Sequence, residues 1–383
     1  MKHTPPGPRS PGNGLSRRRL LAVGTLSAVL GPSLLSACAT VGEFGEPSIG
    51  AGDIDPLGGR AAVDEMAELY RAAADEGESE IVVYGPVEDD RAPVYRTFEE
   101  TFPGITVRTE VLQGPSLTAR VNLEVASGRR AADLIQTGDT TMVALAETGR
   151  FQPNRPVTAA GLPDSVIDGE ERFLGVSALP FVIAFNHDIV PADEAPRGWQ
   201  ELIDPRWRSM LVWDNPTAAG SALTTITHLL HDGRQDEAWL TAMAEQRLGL
   251  TPSAAGVSSA MATGEYPVAV SYPYGFYLSA SAKGAPLTAV FPVDGGSHLS
   301  THFLGLLDGA PHPRAARLLT AWLFSPRGQA ALAEVGQYSL LPGAPPPDGL
   351  PPLDEIDRLA HLPADQAERY SRDTLQLTQR LFR

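Results

Sequence analysis

Between residues 81 and 148 short apolar runs and helical stretches take turns, and this alternation most narrows the folds open to the chain. Ile81-Val82-Val83-Tyr84 closes on Gly85-Pro86, a buried strand entering a loop. A helix is expected over Ala92–Thr101, and the Phe102-Pro103-Gly104 turn then releases a strand over Ile105–Val111. A helix (Ser116–Ser127), a strand (Asp133–Gln136) and a helix (Thr140–Thr148) follow. The pattern predicts an α/β fold, a mainly parallel sheet with helices on both faces, because parallel neighbours are joined by crossovers.

Residues 173–186 are apolar and extended over too long a stretch for one ordinary strand, and they suit a segment crossing between two lobes. Alternation then resumes with a strand at Met210–Trp213 and helices at Ala219–His231, Asp236–Ala244 and Val257–Thr263. A strand at Val268–Tyr272 and a helix at Phe276–Ala282 complete that stretch. Leu287–Phe291 and Leu299–Leu307 read as strands returning to the first lobe. Helices at Pro313–Phe324 and Pro326–Val335 follow, the second with Ser325 as N-cap and Pro326 in its first turn. A Pro-rich bridge, Pro342–Pro352, precedes an amphipathic helix at Ala364–Leu381; a further helix is expected at Ala61–Ala74. The chain is too long for one ordinary core. The expected division is 61–178 with 292–345 as the first lobe, and 179–291 with 346–383 as the second.

The N-terminal segment carries an address. Ser16-Arg17-Arg18-Arg19-Leu20-Leu21 resembles a twin-arginine export signal, and the apolar stretch from Leu20 to Leu35 ends in Leu35-Ser36-Ala37-Cys38, which resembles the bacterial lipobox. Residues 1–37 are read as the export signal and 38–60 as a lipid anchor and flexible spacer. Diacylation of Cys38 would tether the chain to the outer face of the cytoplasmic membrane or in the periplasm, anchored rather than spanning. The remainder is acidic: 46 Asp and Glu against 30 Lys and Arg give a net charge of −16, and Lys2, Arg9, Arg17, Arg18 and Arg19 leave with the leader. That balance argues against nucleic acid and anionic lipid headgroups as partners. Cys38 is the single cysteine, which excludes an internal disulfide and a thiolate metal cluster.

Several pieces, in order, resemble the solute-binding proteins of bacterial ABC importers, in the iron(III) or 2-aminoethylphosphonate subgroup. They include Phe98-Glu99-Glu100-Thr101-Phe102-Pro103-Gly104-Ile105, Ala132-Asp133-Leu134-Ile135-Gln136-Thr137-Gly138-Asp139 and Gly198-Trp199-Gln200-Glu201-Leu202-Ile203-Asp204-Pro205-Arg206-Trp207. The turn Asp214-Asn215-Pro216-Thr217-Ala218-Ala219-Gly220-Ser221 and Lys283-Gly284-Ala285-Pro286 extend the match. The resemblance covers roughly residues 61–345. It implies a type II periplasmic-binding-protein-like fold, two α/β lobes joined by crossing strands that close on a small solute. It also implies an ABC permease and its ATPase subunit as partners, a monomer, no cofactor and no enzymatic activity.

In open parallel sheets ligands lie beyond the carboxyl ends of strands. Thr217, Ala219, Gly220 and Ser221 therefore form a candidate anion seat, small residues exposing backbone N–H groups at the positive end of a helix. Glu88, Thr137, Gly138 and Asp139 follow strands of the first lobe, and Glu88 or Asp139 would meet an amine at the other end of a zwitterion. Tyr272 and Tyr274 follow a strand of the second lobe; Tyr272 equally suits core packing. In the iron-binding relatives a histidine, a glutamate and two adjacent tyrosines hold ferric ion, and the matching positions here are Glu88, Gly138 and Tyr274-Gly275. One tyrosine is a poor set for a hard trivalent ion, so a phosphonate, phosphate ester or carboxylate is expected, with ferric iron or a ferric chelate as the alternative. His298 and His302 would stand roughly 13 Å apart on a strand, and His228 and His231 are expected on the solvent face of their helix. An enzyme on the same architecture is the opposing class, but no nucleophile elbow, zinc helix or phosphate loop is present.

Overall fold

A computed structural model describes residues 44–359 and 364–382, so Cys38 and the export signal lie outside the described residues. The first lobe opens with α1 (Arg60–Glu76), β1 (Glu80–Gly85), α2 (Ala92–Thr101), β2 (Thr106–Val111), α3 (Gly114–Ser127), β3 (Leu134–Gly138), α4 (Asp139–Glu147) and β4 (Phe151–Gln152). Next come β5 (Phe173–Asn186), β6 (Leu211–Asp214), α5 (Ser221–His231), α6 (Glu237–Glu245), β7 (Gly249–Thr251), α7 (Ala254–Ala262), β8 (Val268–Pro273), α8 (Tyr274–Ala282) and β9 (Leu287–Val290). The chain finishes with β10 (Leu299–Leu307), α9 (Pro313–Leu323), α10 (Pro326–Glu334) and α11 (Ala364–Leu381).

The long apolar segment is one strand, and all of its 14 residues are buried. Its first half pairs with β10, from Phe173 opposite Gly305 to Pro180 opposite Leu299. Its second half pairs with β8 and β9. β5 thus belongs to both lobes, and the sheet runs β2-β1-β3-β10-β5-β8-β6-β7. In each lobe the outer strands are parallel, β2-β1-β3 on one side and β8-β6-β7 on the other, while the crossing strands run against them.

Strand alternation assigns the helices to faces. Ile81 and Val83 point to the layer of α1, α2, α9 and α10, among Met66, Phe98, Leu319 and Trp322. Val82 and Tyr84 point the opposite way, toward Leu117 of α3 and Met142 of α4. In the second lobe Ile183 and Phe185 meet α5 and α6, and Val182 and Ala184 meet α7 and α8.

Three expectations change. β9 pairs with Ile183–Asn186, so it stays in the second lobe, and only β10 of that pair returns to the first. The flexible spacer expected through residue 60 gives way to packed chain from Phe44: its ring meets Tyr70, Leu57 is fully buried, and Asp53 pairs with Arg327. Phe44 and Leu57 are isolated anchors, and periodicity reports only regular elements. His228 is buried against His298, with ring centroids 4.8 Å apart, instead of facing solvent. Among the described residues no helix is long and apolar enough to cross a membrane.

Candidate ligand-binding site

The turn between β6 and α5 lies where the parallel strands of the second lobe end. Asn215 Oδ1 accepts from Thr217 N and Oγ1, at 3.0 and 2.8 Å, which bends the chain before the helix. Ala218, Ala219 and Gly220 are exposed, and their backbone N–H groups donate to no acceptor among the described residues. The next amides are already taken. Asp214 is buried, and its Oδ2 accepts from Ala222 N at 2.9 Å; Ser221 hydrogen-bonds the same carboxylate. Burial pushes the Asp214 carboxyl above its usual range, and these hydrogen bonds oppose the rise. The helix start therefore carries an internal carboxylate on its inner amides and open donors on its outer ones.

The loop between β1 and α2 is arranged differently. Glu88 and Arg91 are both fully buried and paired, Arg91 Nη1 to Glu88 Oε1 at 2.7 Å, and the Tyr95 hydroxyl donates to Glu88 Oε2. Arg91 Nε donates to Gln337 Oε1 at 3.2 Å, and Ser177 Oγ of β5 donates to the same oxygen at 2.8 Å. Arg91 Nη2 lies 3.0 Å from His302 Nδ1. A guanidinium only donates, so Nδ1 accepts and His302 is the neutral Nε2–H tautomer. Burial and then the Arg91 charge hold His302 well below its usual pKa. Gly85 has no side chain because a Cβ there would strike the Glu88 carboxylate and the Gln136 carbonyl. Glu88 is thus engaged inside the lobe. Sequence reasoning missed Arg91 and also Asp90.

Asp90 is half-buried, and no side chain among the described residues hydrogen-bonds or ion-pairs with it. Burial raises its carboxyl above the usual range, while the charges of Arg91 and Lys283 oppose this. Lys283 follows α8, and Asp90 also acts on Tyr272 of the second lobe, so Asp90 lies within electrostatic reach of that lobe.

Tyr272 is fully buried, and its hydroxyl lies 2.6 Å from Ser258 Oγ. Tyr274 opens α8 with its ring 5.2 Å from that of Tyr277 and against Gly336 of the first lobe, where any side chain would strike it. Burial raises both phenols, which disfavours the phenolate that a ferric ligand requires. Thr137 is buried on β3, Gly138 caps α4, and Asp139 is partly buried in the first turn. Among the described residues no three His, Cys, Asp or Glu side chains are placed to hold a metal ion. Two surface cavities, about 290 and 450 Å³, lie elsewhere, one beside β7 and α7 and one between α1 and α9. Neither is lined by the turn before α5 or by the loop after β1, so strand ends and converging loops define the candidate site better than concavity does.

The profile of the bacterial extracellular solute-binding protein family matches residues 84–330, and the chain belongs to that family. Its fold is that of the type II periplasmic binding proteins of ABC importers. Iron-bound HitA from Pseudomonas aeruginosa is 22% identical with a TM-score of 0.63, over 77% of this chain and 99% of that one. AfuA from Actinobacillus pleuropneumoniae, solved with exogenous fructose-6-phosphate, is 17% identical with a TM-score of 0.65, over 78% and 98%. The substrate binding protein of an ABC transporter from Agrobacterium tumefaciens is 14% identical with a TM-score of 0.66, over 78% and 94%. A Haemophilus influenzae protein described as uncharacterized is 28% identical over 138 residues, 36% of this chain and 39% of that relative's length.

Proposed function

We propose that this protein is the solute-binding component of an ABC importer, capturing a small anionic or zwitterionic solute between its lobes and delivering it to a permease driven by a separate ATPase subunit. The observation that carries the anionic part is the set of open amides at Ala218, Ala219 and Gly220, before the first turn of α5. Thr217 and Ser221 flank that seat. Asp90, with Asp139 across the same lobe, supplies negative charge for an amine, a role Glu88 is too engaged to fill. Thr137, Gly138, Tyr272 and Tyr274 shape the walls. Ferric iron fits less well, because Tyr274 is a single phenol and Glu88 is buried against Arg91. Diacylated Cys38 would hold the protein beside its permease.

Isothermal titration with 2-aminoethylphosphonate, inorganic phosphate and ferric citrate tests this. The aminophosphonate is expected to bind, and Gly220→Asp is expected to weaken it at least about tenfold, as loss of one charge-assisted hydrogen bond does. Unchanged affinity in Gly220→Asp would move the anion elsewhere, and tight ferric citrate binding with no response to phosphonate would replace this reading. Native mass spectrometry of protein from its host would weigh any solute carried through purification.

A further inference from the structure

α11 packs along α5 and α6 of the second lobe and also against α4 of the first. It runs antiparallel to α5: Tyr370 stacks on His231 at the far end of α5, with centroids 3.9 Å apart, while Thr378 reaches the turn before its start. Its inward face carries Thr374 and Thr378, exposed by 6% and 0%, with Leu377 and Leu381 partly buried beside them. A threonine at the centre of a helix seam buries less apolar area than leucine and needs a partner for its hydroxyl. Thr378 Oγ1 donates to Pro216 O at 2.8 Å, and Gln379 Nε2 donates to Thr217 O at 3.3 Å. Both acceptors lie in the turn that leads into the candidate seat. Gly138, which caps α4, and Asp139 in its first turn are candidates from the opposite lobe. A helix packed against both lobes must leave one of them when the lobes part.

We propose that α11 is a latch on lobe closure: seated on the second lobe through its threonine-leucine face, it holds α4 of the first lobe and favours the shut arrangement before any solute binds. A contact made only in the shut form biases the equilibrium toward it. The inference does not rest on the identity of the solute.

The test is the interlobe distance measured by double electron–electron resonance in the full chain without added solute. The chain carries Cys38→Ser, with spin labels at Leu123→Cys on α3 and Leu250→Cys on β7, both exposed positions in opposite lobes. Thr378→Asp is expected to shift the distribution to longer distances and broaden it. Thr378→Val, which keeps the shape and removes the hydroxyl, is expected to do the same more weakly. Gln376→Ala, on the exposed face, is expected to leave it at the parent value. Parent distributions in both Thr378 variants, or an equal shift from Gln376→Ala, would overturn the proposal. Should Thr378→Asp fail to fold, the Thr378→Val distribution decides alone.

Discussion

The loop after β1 and the turn after β6 occupy equivalent places in the two lobes, at the carboxyl ends of parallel strands before a helix. Each holds a buried carboxylate. In the first lobe Glu88 faces Arg91 and Tyr95, and both oxygens of its carboxylate are satisfied inside the protein. In the second, Asp214 caps the inner amides of α5 and leaves those of 218–220 facing water. The same topology thus yields one loop built for rigidity and one with donors to offer. The difference is decided by whether a counter-charge is at hand: Arg91 neutralises Glu88, while Asp214 is met by helix amides and Ser221, with no ion-pair partner among the described residues.

If the first loop is structural, Arg91→Met should cost about 3–5 kcal/mol, because Glu88 would remain buried without its partner. Chemical denaturation reads this, and adding Glu88→Gln should recover much of the loss. A loss below about 1 kcal/mol for the single variant would mean that the pair is not a keystone. Gly85→Ala attacks the same loop sterically and should cost about 1–3 kcal/mol through overpacking, visible as a lowered urea midpoint at unchanged slope. In the second lobe Asp214→Ala removes a cap and should cost about 1 kcal/mol, whereas Asp214→Asn, also a good cap, should cost less. Equal losses in the two would show that charge matters there more than hydrogen bonding.

Acidification is the gentlest perturbation. His298 and His302 are buried and held well below the ordinary 6.5, His298 by burial and His228, His302 by burial and Arg91. Below about pH 6.5 the unfolded chain binds protons at both and the folded chain does not, so stability rises with pH and is lost as pH falls beneath that value. Urea midpoints at pH 7.5 and 5.5 measure the loss, and His302→Asn should reduce it. An identical pH profile in that variant would detach His302 from the Arg91 network.

Much of the architecture is legible in the amino-acid sequence alone. The residue pattern marks Leu299–Leu307 and Ala364–Leu381 with the bounds they have in the fold, because strand and helix periods record which side of an element is buried. The crossing segment stood out because an apolar run without alternation is buried on both faces. The two-residue β4 and the three-residue β7 were missed, since so few residues carry no period. Of the site, the open turn before α5 was legible from its small residues, whereas Asp90 and Arg91 looked like any charges in an acidic loop.

The amino-acid sequence by itself determined the α/β alternation, the crossing strand and the helix-opening turn, because each is written in neighbouring residues. Tertiary structure decided that Glu88 is engaged, that Asp90 has no side-chain partner among the described residues, that His228 is buried and that α11 touches both lobes. Those outcomes depend on which distant groups meet, Arg91 with Gln337 and Thr378 with Pro216. No local period encodes such encounters; they are settled by how the layers close over one another.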